Sequence, residues 1–151
     1  MNQEKLHKGS CQCGTVEYTL VGEPLTCYSC HCTRCQTLSG SAFTLSMVVS
    51  FDALELGSVK PSEVRFLHKD TEVVRHFCEK CATTLWFSSD AIPGFSAIKP
   101  GTFNDTTWYK PVAHLWMSSA QPWVKLDDGI KQYDTQPEMR ELVELWQEGM
   151  D

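Results

Sequence analysis

The sequence predicts a mainly β fold closed by a single C-terminal helix, and three observations carry that prediction. One short run alternates apolar and polar residues with period 2, the mark of a half-buried strand, and several others are rich in β-branched and aromatic residues. Gly and Pro separate these runs at short intervals, at Pro61, Pro93-Gly94, Pro100-Gly101 and Pro111. Only the last fifteen or so positions carry a sustained helical period.

Taken in order, "TVEYTLVG" (residues 15–22) sets Val16, Tyr18 and Leu20 on one side. "SAFTLSMVVSF" (41–51) reads as a second strand, with turn signals around Gly40 and Ser50-Phe51-Asp52. "EVRFLHKDTEVVRHFC" (63–78) reads as a hairpin, two β-rich runs joined through the turn-forming "KDT". "TTLWFSS" and "VAHLWMSS" each supply a further aromatic, β-rich run. In "TQPEMRELVELWQEG", Met139, Leu142, Val143 and Trp146 fall at i, i+3, i+4 and i+7. Thr135 and Glu138 have the spacing of a capping box, Pro137 sits in the expected first turn, and Gly149 can end the helix.

The 151 residues contain no repeat, linker or low-complexity segment, so a single domain over 1–151 is expected. The net charge is -6 and the 13 basic residues are scattered, which argues against a nucleic-acid footprint. The longest apolar stretch, near "AFTLSMVVSF", is far short of the ~20 residues of a membrane helix. "MNQEKLHKGS" lacks the apolar run of a secretory signal, so a reducing cytoplasm is the expected compartment. Eight cysteines in that setting point to metal before disulfides.

The cysteines fall into three groups, with Cys27 left over. Cys11 and Cys13 form C-x-C, Cys30, Cys32 and Cys35 form C-x-C-x-x-C, and Cys78 and Cys81 form C-x-x-C. Two thiolates from each of two distant turns make a closed tetrahedral zinc site. Cys11 and Cys13 with Cys78 and Cys81 suit that structural role, because each pair ends a predicted strand. The segment "CHCTRC" then offers three thiolates within six residues, the ligand count of catalytic zinc, which keeps one position open. Arg34 and His31 are the nearest groups able to offset the charge there. Cys27 lies three residues before Cys30 and stands as a further candidate ligand that would close the site.

"GSCQCG", "CHCTRCQTLSG", "FCEKC", "GTFND", "HLW" and "QPWVKLDDGIKQY" together resemble, in order and spacing, the glutathione-dependent formaldehyde-activating enzyme family. That family, also called centromere protein V-like, belongs to the Mss4-like zinc folds, and the resemblance spans Gly9 to about Tyr133. It implies small antiparallel sheets around two zinc ions per chain. Cys11, Cys13, Cys78 and Cys81 match the structural ligands, and Cys30, Cys32 and Cys35 match the catalytic ones, where the thiol of glutathione approaches. The implied activity is a carbon–sulfur lyase reaction: glutathione condenses with formaldehyde to S-hydroxymethylglutathione. The chain departs from the family pattern in Ala82, where Gly commonly follows the second C-x-x-C, in Phe103, Asn104 and Asp105, and in Cys27.

Other residues divide between packing and function. Trp86, Trp108, Trp116 and Trp123, with Phe87 and Phe103, read first as packing and second as the lining of a pocket beside the zinc, for which Trp116 and Trp123 are the better candidates. His114, in "HLW", and Arg34 are candidate accessory residues of the second site, and Asp105 reads as a turn cap. The expected function is thus activation of a thiol toward formaldehyde or a related small electrophile. The alternative is a non-catalytic zinc module that binds a protein partner, and a thiol redox enzyme acting through Cys27 ranks third.

Overall fold

The computed structural model describes residues 3–127 and 129–150. Along the chain it forms β1 (Leu6–Ser10), β2 (Glu17–Val21), β3 (Thr26–Cys30), α1 (Thr33–Ser39), β4 (Thr44–Ser50), β5 (Leu54–Leu56), β6 (Ser62–His68) and β7 (Thr71–Phe77). There follow β8 (Thr84–Ser89), β9 (Phe95–Ile98), β10 (Ala113–Leu115), β11 (Lys131–Gln132) and α2 (Met139–Met150). The chain divides into two compact units, residues 1–24 with 48–108 and residues 25–47 with 109–151, so that β4 begins in the second and ends in the first. No helix among the described residues is long and apolar enough to cross a membrane.

In the first unit β1, β2 and β5 form an antiparallel sheet in that order. Gly9 faces Tyr18 across it, and a Cβ at Gly9 would lie 2.5 Å from the tyrosine ring. Tyr18 therefore fills the space that a side chain at Gly9 would need. Its ring meets Trp86 edge-on at 5.7 Å and Phe103 at 5.6 Å, in a core that also buries Leu20, Leu85 and Ile98. Trp86 and Phe103 are thus packing residues. The strands β6, β7, β8 and β9 run as an antiparallel meander. The β6–β7 turn is two residues long, and Lys69 and Asp70 both take positive φ, the geometry whose twist matches a hairpin.

In the second unit β10 lies parallel to both β3 and β11. Helix α2 buries Leu142 completely against Ala113 and Leu115, and the Thr26 hydroxyl in β3 donates to the Leu142 carbonyl at 2.8 Å. Burial of one such leucine contributes about 1.5–3 kcal/mol.

The helix begins at Met139, about a turn later than the spacing of Thr135 and Glu138 predicts, and it runs through Gly149 to Met150. The delay has a local cause. Gln136 accepts from the Trp116 indole at 3.3 Å and the Asp134 carbonyl accepts from the Ser118 hydroxyl at 2.6 Å, which holds residues 134–136 off the helix axis. The run "VAHLWMSS" is likewise only half strand: after Leu115, Trp116 takes a left-handed backbone and residues 117–119 form a tight 3₁₀ turn.

Candidate metal centres

The first centre is built from two turns of the first unit. Cys11 and Cys13 stand in the turn after β1, where the Cys11 N–H donates to the Val16 carbonyl and the Gly14 N–H to the Cys11 carbonyl. Cys78 and Cys81 follow β7, and a register shift between His76 and Phe77 bends the strand just before Cys78. The second turn is closed by hydrogen bonds between Cys78 and Thr83 and between Cys78 and Ala82, at 3.0 and 2.8 Å. The Gln12 N–H donates to the Thr83 hydroxyl and ties the two turns together.

All four sulfurs lie within 4.8 Å of one another, with Cys11 to Cys13 at 3.6 Å and Cys13 to Cys78 at 3.8 Å. A tetrahedron with metal–sulfur bonds of about 2.3 Å has edges of about 3.8 Å, so the donor set fits a tetrahedral thiolate metal. The local field favours thiolate at two of the four. The Thr83 hydroxyl, and then its backbone N–H, bring Cys81 down to about 5. The Thr15 hydroxyl, and then its N–H, likewise lower Cys13. Ala82 is the adaptation of this turn to an unusual residue: its φ of 62 lies in the left-handed region, where glycine carries no Cβ penalty.

The second centre belongs to the second unit. Cys30 ends β3, Cys32 caps α1, and Cys35 lies in the first turn of that helix, so one sharp bend gathers three sulfurs within 4.8 Å of one another. Among the described residues no His, Cys, Asp or Glu joins the three as a fourth member. The Cys35 N–H donates to the Cys32 sulfur at 3.4 Å and ties the two residues across the start of the helix. Gly40, with φ 67, ends the helix. Cys27 stands outside both groups. It is fully buried, and burial pushes its thiol up to about 12.

His31 lies between two of these cysteines and is wholly buried. Its ring does not point to solvent; it bonds through Nε2 to the Ser29 hydroxyl at 3.1 Å. The same hydroxyl meets Nδ1 of His114 at 2.5 Å, so His114 reaches the site through Ser29 and His31. Burial lowers both imidazoles, His31 further through His114, which favours neutral rings. Arg34 lies exposed on α1. Among the other aromatic candidates, Trp108 stacks on His7 at 3.6 Å, Trp116 is partly buried, and Trp123 is 69% exposed. Asp105 accepts from the Thr107 N–H and hydroxyl at 2.9 and 2.6 Å, the turn-capping arrangement expected of it.

With this geometry in hand, comparison with known proteins gives one answer. The family model described as glutathione-dependent formaldehyde-activating enzyme matches residues 6–119, which include all seven grouped cysteines. The chain belongs to this family. Two curated relatives carry names that assign them provisionally to it. A Halomonas elongata protein is 28% identical over 132 residues, covering 81% of this chain and 82% of its own length. An Emericella nidulans protein is 30% identical over 78 residues, covering 50% of this chain and 39% of its own length, so this chain matches well under half of that protein. A solved Rhodobacter sphaeroides structure is similar in fold, with a TM-score of 0.50 at 16% identity, over 83% of this chain and 98% of that one. The mainly β architecture with its C-terminal helix is consistent with the Mss4-like fold of the formaldehyde-activating family.

Sequence reasoning missed three contributors to the second centre. Ser29 is an unremarkable serine within a strand, and its partner His114 is 85 positions away. Gln36 and Ser119 both bond the His31 carbonyl, at 2.9 and 3.0 Å, and neither belongs to a ligand spacing. The only available signal was their place in "CHCTRCQTLSG" and "HLWMSS", beside residues already singled out.

Proposed function

We propose that the chain is a zinc-dependent enzyme of carbon–sulfur lyase type that adds a small thiol, glutathione by the family's description, to formaldehyde or a related electrophile. The observation that carries this reading is the three-sulfur group of Cys30, Cys32 and Cys35, to which no fourth protein donor among the described residues is joined. Cys11, Cys13, Cys78 and Cys81 would hold a structural zinc, and Cys30, Cys32 and Cys35 a second. Zinc at such a site supplies Lewis acidity and holds a bound thiol as thiolate near neutral pH.

The residues around the second centre have separate tasks. Cys30, Cys32 and Cys35 supply the donor set, and the backbone N–H of Cys35 offsets charge on Cys32. Ser29, His31 and His114 stiffen the bend from beneath, as neutral groups joined by one hydroxyl. Arg34, on the exposed side of α1, is the cation placed nearest in sequence to meet an anionic thiol such as glutathione. In the reaction the thiol sulfur forms a bond to the carbonyl carbon, the carbonyl π pair goes to oxygen, and the thiol proton ends on that oxygen. Nothing is oxidised or reduced, so the chemistry needs no redox cysteine. Cys27, buried and held protonated, has the opposite character to an attacking thiol. The reading takes 1–151 as one functional domain, in a cytoplasm that keeps its thiols reduced, with small molecules rather than nucleic acid as partners.

The test is metal counting by mass spectrometry together with calorimetric titration of glutathione, on wild type and Cys32→Ala. Two zinc ions per chain are expected in wild type. One is expected in the variant, with glutathione binding lost and the far-UV spectrum unchanged. A Cys32→Ala protein that keeps both metals and full S-hydroxymethylglutathione formation would overturn the reading.

A further inference from the structure

The second centre spans six residues, so its shape depends on what holds the bend at His31. The His31 N–H donates to the Leu115 carbonyl at 2.9 Å. The His31 carbonyl accepts twice, from the Gln36 carboxamide at 2.9 Å and from the Ser119 hydroxyl at 3.0 Å. Gln36 follows Cys35 on α1, so its side chain joins the helix that carries Cys35 to the peptide between Cys30 and Cys32. The same Nε2 also donates to the Ser119 carbonyl at 3.0 Å. Ser119 is delivered there by the turn that Trp116 starts with its left-handed backbone, φ 60. A bulky residue in that region is strained, and such strain persists only where the surroundings impose it.

The other end of the Gln36 carboxamide is also engaged. Its Oε1 accepts from Nε2 of Gln121 at 3.2 Å, and Oε1 of Gln121 accepts from the Trp123 indole N–H at 2.6 Å. These contacts form one directed chain: indole N–H to Gln121, Gln121 to Gln36, Gln36 to two backbone carbonyls. Its polarity is fixed at both ends. An indole nitrogen only donates and a peptide carbonyl only accepts, so neither carboxamide can flip without setting like atoms face to face. In such a chain each bond polarises the next.

We propose that Trp123, Gln121 and Gln36 form a hydrogen-bond relay that sets the geometry of the Cys30, Cys32 and Cys35 centre, with Gln36 as its positioning residue. This rests on the reading that those three cysteines bind a metal. Trp123 makes the idea testable because its ring is largely exposed. A surface indole that served only for packing or solubility would have no influence on metal affinity at the cysteines. As the first donor of the relay, it does.

The experiment is Co²⁺ titration of the full-length protein, stripped of metal and reduced. It follows the sulfur-to-cobalt charge-transfer band and the tetrahedral ligand-field bands for each equivalent. Gln36→Leu removes the clamp, and Gln36→Glu keeps its size but sets carboxylate oxygens against two carbonyls. Each is expected to weaken the second equivalent by about ten- to a hundredfold and to alter its spectrum, as loss of a residue supporting metal ligands does. Trp123→Phe keeps a ring but loses the N–H, and about a two- to tenfold weakening is expected. The first equivalent, at Cys11, Cys13, Cys78 and Cys81, should bind as in wild type in all three variants, which separates positioning from general damage. Wild-type affinity and spectrum for the second equivalent in Trp123→Phe would overturn the relay, even if a Gln36 variant failed to fold. A wild type that takes up a single equivalent, unaffected by Cys32→Ala, would instead refute the metal reading of the site and this proposal with it.

Discussion

Removing the pair Cys78 and Cys81 should cost the fold more than removing Cys32 and Cys35, by an amount that follows from how much chain each centre encloses. A metal on the first centre cross-links Cys13 to Cys78, 65 positions apart. In the chain-entropy treatment of cross-links, closing a loop of that length removes about 4 kcal/mol of unfolded-state entropy at room temperature. The second centre closes only the short stretch from Cys30 to Cys35, for which the same relation gives about 2 kcal/mol. In a chain of this size each kcal/mol moves the melting temperature by roughly 2–4 °C. Cys78→Ser/Cys81→Ser should therefore melt about 8–16 °C below wild type, and Cys32→Ser/Cys35→Ser about 4–8 °C below it. The assay is differential scanning calorimetry of each zinc-loaded protein at neutral pH, with metal content measured on the same samples. Each double variant should have lost one metal. Equal depressions in the two variants, or a larger one for Cys32 and Cys35, would refute the assignment of the first centre as the architectural one.

Ala82→Gly should raise stability by about 1 kcal/mol, because glycine adopts the left-handed conformation of this turn without a Cβ penalty; calorimetry should show a rise of a few degrees with metal content unchanged. Gly9→Ala should destabilise by about 1–3 kcal/mol in chemical denaturation, because its Cβ would fall 2.5 Å from the buried Tyr18 ring, which has no room to retreat. The Lys131 ammonium, and then the Tyr133 hydroxyl, hold the Glu141 carboxyl below its ordinary value, so the stability they contribute is present above the usual glutamate range and lost as pH falls through the depressed value. Glu141→Gln should accordingly melt below wild type at pH 7, with the gap closing below about pH 4. Acid release of metal affects both proteins, so the difference isolates Glu141, and a gap independent of pH would refute the assignment.

What could be read from the sequence was what repeats or what ligates. Period-2 alternation located β2, a β-rich run bounded by turn signals located β4, and the hairpin of β6 and β7 followed from two β-rich runs around a short turn. Cysteine spacing carried the grouping of both centres because a metal needs its donors at small, regular intervals. The elements that escaped lack such a signal. Helix α1 is seven residues long and buries none of them, so it has no apolar stripe to read. Strand β1, "LHKGS", does not alternate, because Gly9 makes room for Tyr18 rather than burying a side chain of its own. The start of α2 was misplaced because Gln136 is engaged by Trp116, 20 positions away, and a local capping pattern carries no information about that bond. The contacts that shape the second centre are longer still: Gln36 to Gln121 and Ser29 to His114 each span 85 positions.

The two centres thus achieve rigidity by different means, and the difference bears on which one can react. The first draws two donors from each of two turns far apart in sequence, and a metal there is enclosed by the chain it joins. The second takes all its donors from one bend, and hydrogen bonds on the backbone and ring of His31 hold that bend from outside the donor set. A site supported in this way does not need a fourth protein ligand for its shape, so a fourth position can be given to substrate. Cys27 is the residue that could have taken that position. It lies outside the group of three sulfurs, and its full burial gives it the character of a core side chain instead. Under the proposed function, the sulfur that would complete the second centre therefore comes with the substrate.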